Sequence, residues 1–123
     1  MNIITTIGYI LAILVGIEHI GICFLEIFAS PEKQAKAFDM DISFTKQKAA
    51  RISMANQGIY NGILGLLLIM VYFIFPAATL IKVWQLLLGM IVVVAIFGGF
   101  TATKKIFVLQ MLPALIALIL LSI

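Results

Sequence analysis

The sequence predicts an all-α fold, an integral membrane four-helix bundle running up-down-up-down as a single domain over residues 1–123. Three observations point there. Apolar residues make up 64% of the chain and charged residues 11%, whereas soluble domains hold about 45–50% and about 25%. Four apolar segments, about 3–28, 52–75, 80–100 and 106–122, approach or exceed the ~20 residues that a spanning helix requires. The links after the second and third segments are short, which favours antiparallel neighbours.

The first segment lacks a basic start, and its apolar run exceeds that of a leader peptide, so it reads as a retained span. The connection 29–51 is the one substantial polar stretch. Ser30-Pro31 can begin a short helix, with serine as cap and proline in the first turn. Phe38, Met40, Ile42 and Phe44 alternate with mostly polar residues, as in an extended piece or a surface-lying loop. Ser43 or Thr45 is placed to cap an extension of the second span through Lys46, Lys48 and Arg51. Pro76-Ala77-Ala78-Thr79 ends that span, because proline cannot continue a helix that lacks its N–H. Thr101 to Lys105 forms the last link, and Gly98-Gly99 just before it suits close packing or a turn.

Basic residues orient the chain. Lys33, Lys36, Lys46, Lys48 and Arg51 fall in the first connection, and Lys104 and Lys105 in the third, against Lys82 alone near the second. The positive-inside rule therefore places connections 29–51 and 101–105 in the cytoplasm of a multi-pass cell-membrane protein, with both termini outside. The net charge of +3 is a matter of topology and does not point to nucleic acid. Cys23 is the sole cysteine, so no intrachain disulfide forms and a buried, inert thiol is the expectation. Trp84 and Tyr72 sit near outer span ends, where an interfacial aromatic belt is expected.

The informative residues are polar ones inside apolar runs. At 100° per residue, Glu18, His19, Ile22 and Glu26 fall within about a 100° arc of the first span. Asn56, Gln57, Tyr60 and Asn61 share one side of the second, opposite Gly58, Gly62 and Gly65. Gln110 stands three residues before Pro113 in the last. A charged group facing lipid costs at least about 2.5–3.5 kcal/mol, so the stripes are expected to face inward. All lie in the same half of the membrane by depth, which implies a polar core or small cavity opening toward the cytoplasm. Gly58 and Gly62 have the small-xxx-small spacing of helix interfaces, and the glycine face suggests a homodimer.

Three functions fit this pattern. The leading one is binding of a small polar or amphipathic molecule, in a transport-accessory or binding role. Glu18 and His19 would anchor it, with Glu26, Asn56, Gln57, Tyr60, Asn61 and Gln110 as the other candidate ligand-binding residues. The second is a membrane enzyme, an isomerase or a quinone-linked redox protein, using Glu18 or His19 as acid or base. The third is a structural subunit whose amides are interhelical glue and whose Glu26 snorkels to the interface. His19 is the sole histidine, which argues against a zinc or iron site. No phosphate loop, nucleophile motif or dinucleotide fingerprint occurs, so no cofactor is identifiable.

The run Glu18-His19-Ile20-Gly21-Ile22-Cys23-Phe24-Leu25-Glu26-Ile27-Phe28 resembles the first-span signature of the domain of unknown function 1304 family. Ala55-Asn56-Gln57-Gly58-Ile59-Tyr60-Asn61-Gly62 is similar to its second-span signature, and Gln110-Met111-Leu112-Pro113-Ala114 to its last. Cys23 stands where methionine or another apolar residue is expected. The resemblance covers essentially the whole chain and implies a small four-span membrane protein of uncharacterised function. It extends distantly to DoxX-like membrane proteins, some of which are linked to redox or quinone chemistry.

Overall fold

Asn2 starts the first helix. Its side chain accepts from the Thr5 N–H at 2.9 Å, satisfying one of the donors that a helix start leaves free. The computed structural model describes residues Met1–Ile123, all helices and short links with no strand. Helix α1 runs Ile3–Phe28 and buries Gly8, Ala12, Val15, Gly16, His19 and Glu26 along one stripe.

The polar connection folds into two short helices, α2 (Pro31–Phe38) and α3 (Ile42–Thr45). Ser30 caps α2 by accepting from the Lys33 N–H at 3.3 Å. Asp39 ends it in the left-handed region, with φ 54° and ψ 45°. The alternation from Phe38 to Phe44 is therefore not an extended piece. The chain turns at Asp39 and forms one helical turn at Ile42–Thr45. Nor does Ser43 or Thr45 cap the next helix. Gln47 holds that position without a side-chain bond, and the Thr45 hydroxyl instead donates to the Pro31 carbonyl at 2.9 Å.

Helix α4 (Lys48–Ile74) and α5 (Ala77–Thr101) are separated by Phe75-Pro76 alone. The last apolar segment departs from one regular span. It opens as a π-turn, Phe107–Met111, and continues as α6, Leu112–Ser122. Pro113 has no N–H to give the carbonyl of Leu109, and a widened turn just ahead of it accommodates that loss. By length and composition three helices (α1, α4 and α5) are able to cross a membrane, while Phe107–Ser122 is a shorter apolar helix.

Helix α1 is central, packed along α4 on one side and α6 on the other, while α5 lies against α6 and the π-turn. Glycines set the closest approaches. A Cβ on Gly65 would collide with the Gly16 carbonyl, one on Gly62 with Cys23, and one on Gly58 with Ile27 and Glu26. The α4 glycine face is thus occupied by α1 of the same chain. It is not an outward face, and the reason it supplied for a homodimer disappears. Gly99 makes the corresponding room for the Phe107 ring.

The apolar core gathers Ala12, Val15, Leu68, Leu88, Ile91, Ala114 and Ala117 around Trp84. Trp84 is 0% exposed and its indole N–H donates to the Leu68 carbonyl at 2.9 Å. It is a core residue, not a member of an interfacial belt. Tyr9 packs edge-on to it, with centroids 4.9 Å apart. The outer faces remain apolar: Phe73, Leu86, Phe97 and Phe100 are all more than two-thirds exposed. Such a continuous apolar exterior is foreign to soluble monomers.

Candidate functional site

At the end of the molecule that carries α2 and α3, the helices enclose a cavity of about 410 Å³. Its walls come from α1 (Ile22, Glu26), α4 (Met54, Gln57, Asn61) and α5 (Val94, Phe97, Thr101), with Gln110 from the π-turn. Phe38, Met40 and Phe44 of the connection, and Thr103 of the last link, close its end.

Glu26 is the ionisable group in this lining. It is 3% exposed, and its Oε1 accepts from the Asn61 side-chain N–H at 2.6 Å. No lysine, arginine or histidine forms an ion pair with it. Glu26 therefore turns inward and does not snorkel. A buried carboxyl needs compensating donors, and α4 supplies one from a helix packed by its glycines. Gly58, one turn before Asn61, meets the Glu26 Cβ directly, so the close packing itself delivers amide to carboxyl.

The structure gathers four of the eight residues singled out from the sequence, Glu26, Gln57, Asn61 and Gln110, at this cavity. Asn56 and Tyr60 lie on the exposed flank of α4, in a neighbouring groove of about 680 Å³ between α4 and α5. Asn56 donates only to the Ile52 carbonyl of its own helix, at 3.3 Å. Glu18 and His19 do not line the cavity. They also make no hydrogen bond to each other, because neighbouring helical residues point about 100° apart. His19 is buried, and its Nδ1–H donates to the Val15 carbonyl at 2.8 Å. A carbonyl only accepts, so the hydrogen of this bond sits on Nδ1. Glu18 is half-buried, with one oxygen shut away from any hydrogen-bond donor. No three His, Cys, Asp or Glu side chains converge anywhere in the chain.

Two supporting residues carried no obvious signal. Gln34, 1% exposed, reaches back from α2 to donate to the carbonyls of Leu25 and Glu26 at 3.1 and 3.0 Å. It caps the end of α1 at the residue that holds the carboxyl. Its only sequence cue is the demand of orphan helix-end carbonyls for donors. Thr103 donates its hydroxyl to Asp39, and Lys105 pairs with the same carboxylate at 3.1 Å. The Thr103 bond, then Lys105, hold the Asp39 carboxyl below its ordinary range. This latch joins the first and third connections across the mouth of the cavity.

The sequence profile of the family described as "Protein of unknown function (DUF1304)" matches residues 13–122. The chain belongs to the domain of unknown function 1304 family. The matched region contains every residue of the cavity wall named above. A relative of similar length, "Uncharacterized protein YpaA" of Lactococcus lactis subsp. lactis (strain IL1403), is 38% identical over 116 residues, covering 94% of this chain and 96% of the relative. No solved structure matches this family member.

Proposed function

We propose that this protein binds a small polar or amphipathic molecule inside the membrane, in the cavity around Glu26. One observation carries the reading. A carboxyl 3% exposed, held by Asn61 and free of any ion-pair partner, faces a cavity that Gln57 and Gln110 also reach. Mostly apolar walls with a few convergent polar groups are the hallmark of small-molecule sites.

The setting is a four-helix, up-down-up-down bundle in the cell membrane, with connections 29–51 and 101–105 cytoplasmic and both termini outside. The apolar exterior and the latch that brings the two lysine-bearing connections together support it. Single cysteines introduced in a Cys23→Ser background test this orientation. Ser43→Cys is expected to resist an impermeant maleimide in intact cells, and Ala78→Cys to react.

Native mass spectrometry of protein released from its own membrane tests binding. A discrete small-molecule adduct is expected, lost in Asn61→Ala and Gln57→Ala and kept in Asn56→Ala. Ligand-free protein throughout, or an adduct indifferent to both cavity substitutions, would overturn the reading.

A further inference from the structure

The cavity and the groove between α4 and α5 are walled by common residues, Ser53, Gln57, Asn61 and Val94. They therefore adjoin at these residues, and the groove opens sideways along the α4–α5 seam. The parts differ in chemistry. Beyond Asn61 the groove is apolar, with Ile63, Leu64 and Leu67 facing Met90 and Val94. From Asn61 to Leu67 it follows α4 for about 9 Å, at 1.5 Å per residue, which suits an alkyl chain. At the cavity end stand the Glu26 carboxyl and several amides and hydroxyls, with no lysine, arginine or histidine in the lining. An acid that lacks a basic partner complements a head that donates hydrogen bonds and carries positive charge. An anionic head would bring it no donor and would repel its ionised form.

Resting on the binding reading above, we infer that the ligand is a single-chain amphiphile with a cationic amine head, admitted from the bilayer between α4 and α5. The head would donate to Glu26, with Gln57 and Gln110 available for its remaining donors. The tail would lie along Leu64, Leu67 and Met90. Lateral access removes any need for the α2–α3 connection to open, so the Asp39–Thr103 latch stays shut while the site fills.

Thermal unfolding in phosphatidylcholine nanodiscs, titrated with dodecylamine, dodecanol, laurate and butylamine, tests this. Dodecylamine is expected to raise the melting temperature saturably, and laurate to have no such effect. Dodecanol should bind about tenfold more weakly, the loss of one charge-assisted hydrogen bond. Glu26→Gln should abolish the preference for the amine over dodecanol. Met90→Trp, at an exposed groove position outside the cavity wall, should weaken dodecylamine by about tenfold or more through steric loss of the tail site and leave butylamine unchanged. It also serves if Glu26→Gln does not fold. Butylamine binding as tightly as dodecylamine would sink the amphiphile and leave the polar-ligand reading standing. Equal binding of dodecylamine and laurate, or no saturable shift with any probe, would sink the inference, while the mass-spectrometric test of retained ligand stays independent.

Discussion

The two faces of α4 differ in kind. Toward α1, Gly58, Gly62 and Gly65 bring the backbones so close that any added side-chain atom would collide. Toward α5, despite a turn of only Phe75-Pro76, the helices share little surface and leave a groove. The contrast teaches how such a small protein keeps a cavity at all. One seam is closed by the smallest residues, which fixes α4 rigidly. The other is pinned near its turn by the Trp84 bond to the Leu68 carbonyl and stands open beyond it, as a groove.

Substitutions on the two seams should therefore behave oppositely. The largest effect belongs to Gly65→Val, whose side chain must displace the Gly16 backbone. Overpacking of this kind costs about 1–3 kcal/mol or more, read as a drop of many degrees in the melting temperature in detergent. A melting temperature unchanged by Gly65→Val would erase the distinction between the seams. Trp84→Phe comes next. It removes the indole donor to the Leu68 carbonyl and should cost about 1–2 kcal/mol by the same measurement. On the open seam, Ile63→Ala and Val94→Ala should shift stability by no more than about 0.5 kcal/mol, as at other exposed positions. A large loss there would mean the groove is closed in solution.

The smallest effect is a pH dependence. The Asp39 carboxyl is held below its ordinary value by Thr103 and Lys105. Because the folded state favours the charged form, the latch contributes fully above the ordinary carboxylate range. That contribution is lost as pH falls below about 4, where the unfolded-state carboxyl takes up its proton first. Asp39→Asn should flatten this part of the profile of melting temperature against pH and leave the neutral cavity-binding behaviour unchanged.

Much of this contrast is legible in the sequence, and its gaps have physical causes. Helical periodicity puts Asn61 and Gln57 on one flank of α4 and the glycines on the other. It cannot say which neighbour each flank meets, since that depends on interhelical register. Periodicity alone therefore offers the glycines to a second copy of the chain, when α1 takes them. The same ignorance of register splits the polar stripe of α1. Glu26 reaches the cavity while Glu18 and His19, two turns away, do not. Trp84 misleads because position along a span suggests a belt, whereas the Leu68 carbonyl that buries its N–H lies on another helix. Gln34 looks like a solvated residue of a polar connection until the fold-back of α2 aims it at the end of α1.

The π-turn at Phe107–Met111 sets the phase of the whole last helix. A wide turn carries one residue more than a regular helix needs, so it offsets the rotational phase of α6 from that of the residues before the turn. Ala114, Ala117 and Leu121 lie buried on the far side of that offset, and Gln110 belongs to the turn itself. Deleting a single residue such as Val108 would restore regular winding and rotate the residues before the turn, the cavity-lining Ile106 among them, by about 100° relative to the alanine face. The cavity wall and the packing face of this last helix thus occupy separate rotational frames, on either side of the wide turn.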